Sequence, residues 1–385
     1  AYRNYGGHIA AITGTNGKTT TVHMLKSILE NAGKKVLVGG NGGGGFSGYY
    51  DLMLEAENGD YDVILVEVCD MTLDFCSYAF DFDIVGLTNI GNDHMDVHKT
   101  IANYKDSLVR FFTGKEIFTA YNQDFNSDFK DVSLKHISYF EYQDELKVFG
   151  KFNRLNAGLA MAIATELKIP KDVIKDTLAD FEAVSGRLDV YKINDSLVYV
   201  GKTDNSDALK SVLSERDFYA IFIGTPRSHE SHRLDIVDEA VKYNPEVIVV
   251  FPGLDDNLDL LLYRLNYLKY RGRVLTATSL DDIIAYVAEF SHEEAMLIGG
   301  NGQEAIINIQ ERIKQLQLQE EPLKAEIQDY IGENEILLDV ATEKPLATWK
   351  SSERRTFDTE RFRTENKALY NEYLKLSVSR RFTVK

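Results

Sequence analysis

Short apolar runs and stretches with helical spacing take turns along the first 190 residues. His8-Ile9-Ala10-Ala11-Ile12-Thr13 is apolar, brief and stopped by glycine, the mark of a buried strand. Thr19 to Ala32 places Val22, Leu25, Ile28 and Leu29 on one helical face and ends at Gly33, a C-cap residue. Lys35 to Val38, Tyr61 to Val68 and Ile84 to Leu87 read as further strands. Asn156 to Leu167 is an alanine-rich apolar helix, and Lys171 to Phe181 another, introduced by Pro170. Strands separated by helices predict parallel βαβ units with right-handed crossovers.

A second alternating set follows Gly186-Arg187. Tyr219 to Ile223, Val247 to Phe251, Val274 to Thr276 and Ala295 to Ile298 read as strands, and Ala208 to Leu213, Arg233 to Tyr243, Leu258 to Tyr270 and Leu280 to Glu289 as the helices between them. After about residue 316 the alternation stops. One helix is expected to end near Gln315 to Pro322. A helix from Pro322 to Ile331, a hairpin within Ile336 to Lys350, a basic helix and a short end strand follow. The predicted boundaries are 1–187, 188–316 and 317–385, in keeping with ~150 residues per domain.

The chemistry starts where the first strand ends. Gly14-Thr15-Asn16-Gly17-Lys18-Thr19-Thr20 lies between a strand and a helix and is a shortened phosphate-binding loop. Its glycines let backbone N–H groups curl around a phosphate, and the helix N-terminus adds positive potential. Lys18 would reach the β- and γ-phosphates of a nucleotide and the Thr19 hydroxyl would ligate Mg²⁺. Glu67 ends an apolar strand, where ligand sites of α/β sheets open, and suits a second Mg²⁺ ligand. His94, in Thr88-Asn89-Ile90-Gly91-Asn92-Asp93-His94-Met95-Asp96, follows another strand end and joins the candidates. Cys69, Asp70 and Asp74 come just after Glu67 and are expected near the same cleft, with no role fixed. The predicted class is α/β: a parallel-sheet P-loop ATPase domain, a smaller Rossmann-like α/β domain and an α+β tail.

Charge and composition narrow this picture. The chain has 385 residues, with 43 basic against 60 acidic side chains and a net charge of −17. That average argues against a general polyanion binder. Residues 344–385 differ, with 11 basic and 5 acidic side chains and the single tryptophan, Trp349. Nucleic acid is thus disfavoured for the body and open for the tail. Two cysteines, Cys69 and Cys76, cannot build a disulfide framework or a four-cysteine zinc site; reduced thiols of a cytoplasmic protein are expected. No apolar run reaches the ~18 residues of a membrane span. The start, Ala1 to Gly7, lacks a charged-then-apolar leader layout and reads as a trimmed or internal start.

Taken in order, the motifs resemble the ATP-dependent Mur ligases. The carriers are Thr13 to Thr20, Glu67, the Asn89-Ile90 to Asp96 block, Phe149-Gly150-Lys151-Phe152-Asn153-Arg154-Leu155-Asn156-Ala157, Ser185-Gly186-Arg187 and Gly299-Gly300-Asn301-Gly302-Gln303-Glu304. The resemblance covers residues 8 to about 312. It implies ATP and Mg²⁺ as cofactors, phosphorylation of a substrate carboxylate to an acyl phosphate, and attack by an amino group. Lys18, Glu67, His94 and Lys202 would be catalytic. The loop Gly14, Thr15, Asn16, Gly17, Lys18, Thr19 and Thr20 would hold the nucleotide, with Asn156 near its adenine and Arg187 beside it. Thr19, Glu67 and His94 would hold the metal.

Several stretches depart from that family. Its usual UDP-sugar domain does not precede the phosphate loop, as in shortened members: folylpolyglutamate synthases, poly-γ-glutamate ligases, MurT-type proteins and archaeal pseudomurein peptide ligases. Many relatives carry a carbamylated lysine about fifteen residues past the histidine, by the spacing the resemblance implies; here that count falls near Leu108 and Val109, with Lys105 one turn earlier. The local pattern resembles the MurC-type branch, which lacks that group. Val200-Gly201-Lys202-Thr203-Asp204-Asn205-Ser206 matches one family version at Lys202 and Asn205 without its leading aspartate. Asn301 and Gln303 stand where lysine and histidine are usual. Asn41 in the glycine-rich loop, Asn89, Asn205, His229 and His232 are candidate substrate residues, the two histidines being open to a metal or to a polar-loop role.

The closing segment from Ala347 to Lys385 resembles the end of YqaJ-type phage exonucleases, although the chain lacks the acidic core of those nucleases. The leading expectation is a ligase joining an amino acid to a peptide or glycopeptide carboxylate in cell-wall precursor synthesis, most like the pseudomurein peptide ligases, acting as a monomer and on no membrane. A poly-γ-glutamate or folylpolyglutamate-like ligase is the alternative within the class. A nucleotide-dependent regulatory module with a nucleic-acid-binding tail is the alternative outside it.

Overall fold

The computed structural model describes residues 5–42, 45–92, 94–120, 135–194, 196–293, 295–331, 336–338 and 345–348. The chain forms two compact units, Ala1–Gln317 and Leu318–Lys385. Within the first unit lie two six-stranded sheets.

The first sheet is built from β1 (His8–Thr13), β2 (Val36–Gly40), β3 (Val63–Glu67), β4 (Ile84–Leu87), β5 (Glu116–Ala120) and β6 (Lys135–Tyr139), in spatial order β2-β3-β1-β4-β5-β6. Every neighbouring pair is parallel. Its connecting helices are α1 (Lys18–Asn31), α2 (Tyr49–Asn58), α3 (Leu73–Ala79), α4 (Met95–His98), α5 (Ile101–Phe112), α6 (Lys151–Glu166) and α7 (Lys171–Asp180). Alternate residues of β1 explain the two cores. Ala10 and Ile12 face α1, α6 and α7, whereas Ile9 and Ala11 face α2, α3 and α5. A strand apolar on both faces is what a sheet covered by helices on both sides requires.

The second sheet holds β7 (Asp189–Ile193), β8 (Ser196–Val200), β9 (Ala220–Gly224), β10 (Val247–Phe251), β11 (Arg273–Thr276) and β12 (Ala295–Gly300), in order β11-β10-β9-β12-β8-β7. Around it run α8 (Ser206–Leu213), α9 (Asp235–Lys242), α10 (Leu258–Tyr267), α11 (Leu280–Glu289) and α12 (Gln303–Ile331). Two features correct the sequence reading. β7 and β8 form an antiparallel hairpin, Ile193 opposite Ser196, that the strand–helix count did not include. The helix expected to stop before Pro322 runs through it to Ile331. Pro322 lacks an N–H, so only one ladder bond, to the carbonyl four residues back, is forfeited there.

In the second unit, β13 (Ile336–Leu338) pairs antiparallel with β14 (Pro345–Thr348). The expected basic helix, the end strand and Trp349 lie outside the described residues, as does most of the segment resembling phage exonucleases. Among the described residues no helix is long and apolar enough to cross a membrane.

Topology and register put the candidate chemistry at one edge. β1 is followed by β2 on one side and, after β3, by β4 on the other, so the chain switches direction around β1. A crevice opens at the carboxyl ends of strands flanking such a switch. Ile12 pairs with Glu67 and Thr13 with Leu87, so the loops after β1, β3 and β4 leave the sheet at the same level.

Candidate active site

The loop after β1 needs both its glycines. Gly14 has φ +124°, and a Cβ there would meet the Thr88 hydroxyl at 2.2 Å. Gly17 has φ +84° as the N-cap of α1, and its Cβ would meet Asn156 Oδ1 at 2.3 Å. Asn89 braces the loop from the end of β4: its Oδ1 accepts from the Asn16 N–H at 2.9 Å and its Nδ2 donates to the Asn16 carbonyl at 3.0 Å. The Thr15 hydroxyl accepts from the Gly91 N–H at 2.8 Å. Lys18 is turned onto its own loop and donates to the Gly14 and Thr15 carbonyls, both at 2.7 Å.

Glu67 is buried at the end of β3. Its Oε1 accepts from Asn41 Nδ2 at 3.0 Å, and its buried Oε2 has no hydrogen-bond partner among the described residues. His94 precedes α4 in the left-handed region, φ +50°. Its Nδ1 lies 3.0 Å from both oxygens of Asp70, while His98 Nε2 lies 2.9 Å from Asp70 Oδ2. Burial alone would raise the Asp70 pKa, but hydrogen bonds from His94 and His98 hold it well below the usual carboxylate range.

The second sheet closes this edge. Arg187 donates from NH2 to the Thr19 hydroxyl at 2.8 Å, and its Nε is buried without a partner. Asn205 caps α8, accepting from the Ala208 N–H at 2.8 Å, and exchanges two amide hydrogen bonds with Asn16 at 3.0 and 3.1 Å. Asp207 Oδ2 accepts from the Asn92 N–H at 2.7 Å. Arg233, buried, donates to Asp204 Oδ2 at 2.9 Å and to Asn301 Oδ1 at 3.0 Å, and its NH2 lies 3.5 Å from His94 Nε2. Lys202 Nζ is 2.9 Å from the same Asp204 carboxylate. Burial opposes the ionised form of Asp204, but the charges of Lys202 and Arg233 outweigh it and keep this carboxyl well below its ordinary value.

Two cavities share these walls. One, about 430 Å³, runs from Asn16, Gly17 and Thr20 past Asn156 and Arg187 to Lys202 and α8. The other, about 380 Å³, brings together Lys18, Thr19, Asn41, Glu67, Cys69, His94, Lys202, Arg227 and Arg233. Thus Asn156 and Thr20 line the first, Glu67 and His94 the second, and Arg187 both. Gly14 is not among the lining residues of either; Asn89 lines the first, with its side-chain amide bonded to the phosphate loop. From the Ser228–Arg233 stretch, Glu230 and Arg233 line the second cavity, joined by Arg227, and neither His229 nor His232 does. Asp74 turns instead to Arg110, at 3.0 Å, beside a third cavity. Lys105, on α5, lines none of the three.

The sequence reading left out Arg233 and Asp207 and gave no role to Asp204. A buried arginine that follows His229 and His232 has no local signature; only the pairing across the cleft reveals it.

Residues 12–135 match the Mur ligase middle domain. The UDP-N-acetylmuramoylalanine–D-glutamate ligase of Alkaliphilus oremlandii (strain OhILAs) is 30% identical over 242 residues, covering 54% of this chain and 52% of that protein. The chain thus spans about half the length of the curated relatives it matches. Among solved structures, E. coli FolC in complex with DHPP and ADP superposes with a TM-score of 0.65 at 15% identity, over 80% of this chain and 89% of that one. A pseudomurein peptide ligase type C from Methanothermus fervidus gives 0.59 at 16%, over 80% and 79%. At these identities the solved structures share the fold, an α/β arrangement of the Mur ligase and FolC kind.

Proposed function

We propose that this chain is an ATP-dependent ligase that joins an amino acid to a carboxylate acceptor through an acyl phosphate, in cell-wall precursor synthesis of the pseudomurein kind. The observation that carries the reading is Glu67. Its buried, unpartnered Oε2 lies in one cavity with Lys18, Thr19 and His94. A carboxylate and a hydroxyl suit a hard divalent cation, and these residues fit Mg²⁺. Thr19, Glu67 and His94 would hold it, and when bound it neutralises phosphate charge.

The chain's own groups account for the rest. A carboxylate attacking the γ-phosphorus brings two anions together, and Lys18, Arg187, Lys202 and Arg233 offer positive charge along the walls that face the reacting atoms. Lys18 would trade its two loop carbonyls for phosphate oxygens. The acceptor oxygen bonds to phosphorus as the bond to ADP breaks. The amine nitrogen then bonds to the acyl carbon, phosphate leaves with the electron pair, and the amine's proton passes to solvent. The larger cavity, with Asn156 at its wall, would take the nucleoside. In this reading residues 1–187 supply the nucleotide site, 188–316 the closing lobe, and 317–385 an appended tail.

The likeness to FolC favours a second acceptor class, a folyl or poly-γ-glutamate carboxylate. The test is phosphate release from ATP and Mg²⁺ with pools of amino acids and of both acceptor classes. Release that needs an amino acid and an acceptor together supports a ligase, and the acceptor pool decides between the two readings. Lys18→Ala abolishes it and His94→Ala lowers Mg²⁺-dependent turnover with the fold intact. Release indifferent to both substrates but stimulated by DNA would overturn the reading in favour of a regulatory module.

A further inference from the structure

Cys69 sits oddly among hard-cation ligands. Its thiol is buried, lines the cavity that holds Glu67 and His94, and lies 3.4 Å from Asp70 Oδ1. Donor atoms of Cys69, Asp70 and His94 all fall within 4.8 Å of one another. We propose that these three side chains form a binding site for a thiophilic divalent cation of the zinc or cobalt(II) class, on the Nδ1 side of His94, opposite the Nε2 that meets Arg233.

Two of the three donor pairs stand close to tetrahedral spacing. With bonds of ~2.3 Å to sulfur, ~2.05 Å to nitrogen and ~2.1 Å to oxygen, donors stand ~3.4 Å (N and O) and ~3.6 Å (S and O) apart. Here Asp70 Oδ1 is 3.0 Å from His94 Nδ1 and 3.4 Å from Cys69 Sγ. On these two edges an opening of a few tenths of an ångström reaches tetrahedral spacing, and the Cys69–His94 edge lies within 4.8 Å. His98, 2.9 Å from the other Asp70 oxygen, is the outer partner that fixes the carboxylate. The cavity along Cys69 leaves a fourth position for water or a ligand atom. Binding expels the thiol proton to solvent, because a coordinating thiol is deprotonated outright, and the neutral imidazole of His94 offers its Nδ1 lone pair with the ring proton on Nε2.

The site stands on side-chain geometry and not on the ligase reading, and its test needs no turnover. Titrating the full chain with Co²⁺ in the absence of nucleotide should produce a thiolate-to-metal charge-transfer absorption at one equivalent, and Zn²⁺ should displace it. Cys69→Ser removes the band. Cys76→Ser keeps it, since Cys76 packs against Thr72 instead. His98→Ala weakens Zn²⁺ binding by about 10–100-fold, the usual cost of losing an outer partner. Near-UV circular dichroism confirms that each variant is folded. No band in the parent protein, or a band that survives Cys69→Ser, overturns the site. A band with no amino-acid-dependent phosphate release upholds the site while the ligase reading falls.

Discussion

Replacing Arg233 by methionine should weaken the second sheet's hold on the cleft by an amount set by what the guanidinium touches. Arg233 donates to Asp204 Oδ2 and to Asn301 Oδ1, and both partners are themselves largely removed from water. A hydrogen bond to a charged partner is worth ~1.5–3 kcal/mol, and a buried acceptor left without its donor costs a further ~1–3 kcal/mol. Asn301 already has a buried Nδ2 without a partner, so its amide would lose both ends. Asp204 keeps Lys202, which limits the loss. The expected destabilisation is ~3–4 kcal/mol, within the ~3–5 kcal/mol seen when one member of a buried pair is removed. Trp349 lies outside the described residues, so far-UV circular dichroism in urea is the suitable probe. Adding Asp204→Asn should recover ~1–2 kcal/mol, because the stranded charge is then gone. A loss below ~1 kcal/mol, or a double variant less stable by the full sum of the singles, would refute the view that Arg233 compensates a buried carboxylate.

Three further outcomes follow from the same geometry. Asp204 titrates below its unfolded value, so its contribution is complete above about pH 4 and falls away as pH drops toward the folded value; urea midpoints between pH 6 and pH 3 should fall more steeply for the parent than for Arg233→Met. Asn205→Ala should cost ~1 kcal/mol for the lost helix cap alone. Asn205→Asp keeps the cap but cannot donate to Asn16 Oδ1, so thermal unfolding of the two variants separates capping from the contact between lobes. Gly17→Ala should weaken ADP binding measured by calorimetry, since its Cβ collides with Asn156 and the left-handed backbone costs ~1–2 kcal/mol.

Eight of the twelve strands in the two sheets were legible because each is a short apolar run stopped by glycine or a polar loop, as at Ile84–Leu87 and Val247–Phe251; β5 and β6 were not read, their runs mixing polar and apolar positions. The hairpin of β7 and β8 was missed although Asn194-Asp195 is a turn pair, because Asp189 to Val200 mixes polar and apolar positions at an edge. Pro322 misled in the other direction: proline in a sequence signals a stop, but surrounding helix formers carried the helix through. In the site, candidates within one chain segment could be picked out, since Glu67 ends a strand and the phosphate loop and His94 follow one. The Asp70 bridge and the Arg233–Asp204 pair were not, because their meaning arises only where separate loops converge.

The paired amides of Asn16 and Asn205 bear on how the two lobes part. Asn205 Oδ1 also accepts from the Ala208 N–H, so the helix cap fixes which way round this amide contact is made. It carries no net charge, and it therefore resists changes in ionic strength that would loosen an ion pair in the same place. A joint of this kind releases by mechanical separation, with water filling in, and rejoins without waiting for a proton or a counterion. It stands beside contacts that do carry charge, Arg187 on the Thr19 hydroxyl and Asp207 on the Asn92 N–H, so salt acts on only part of the seam between the lobes.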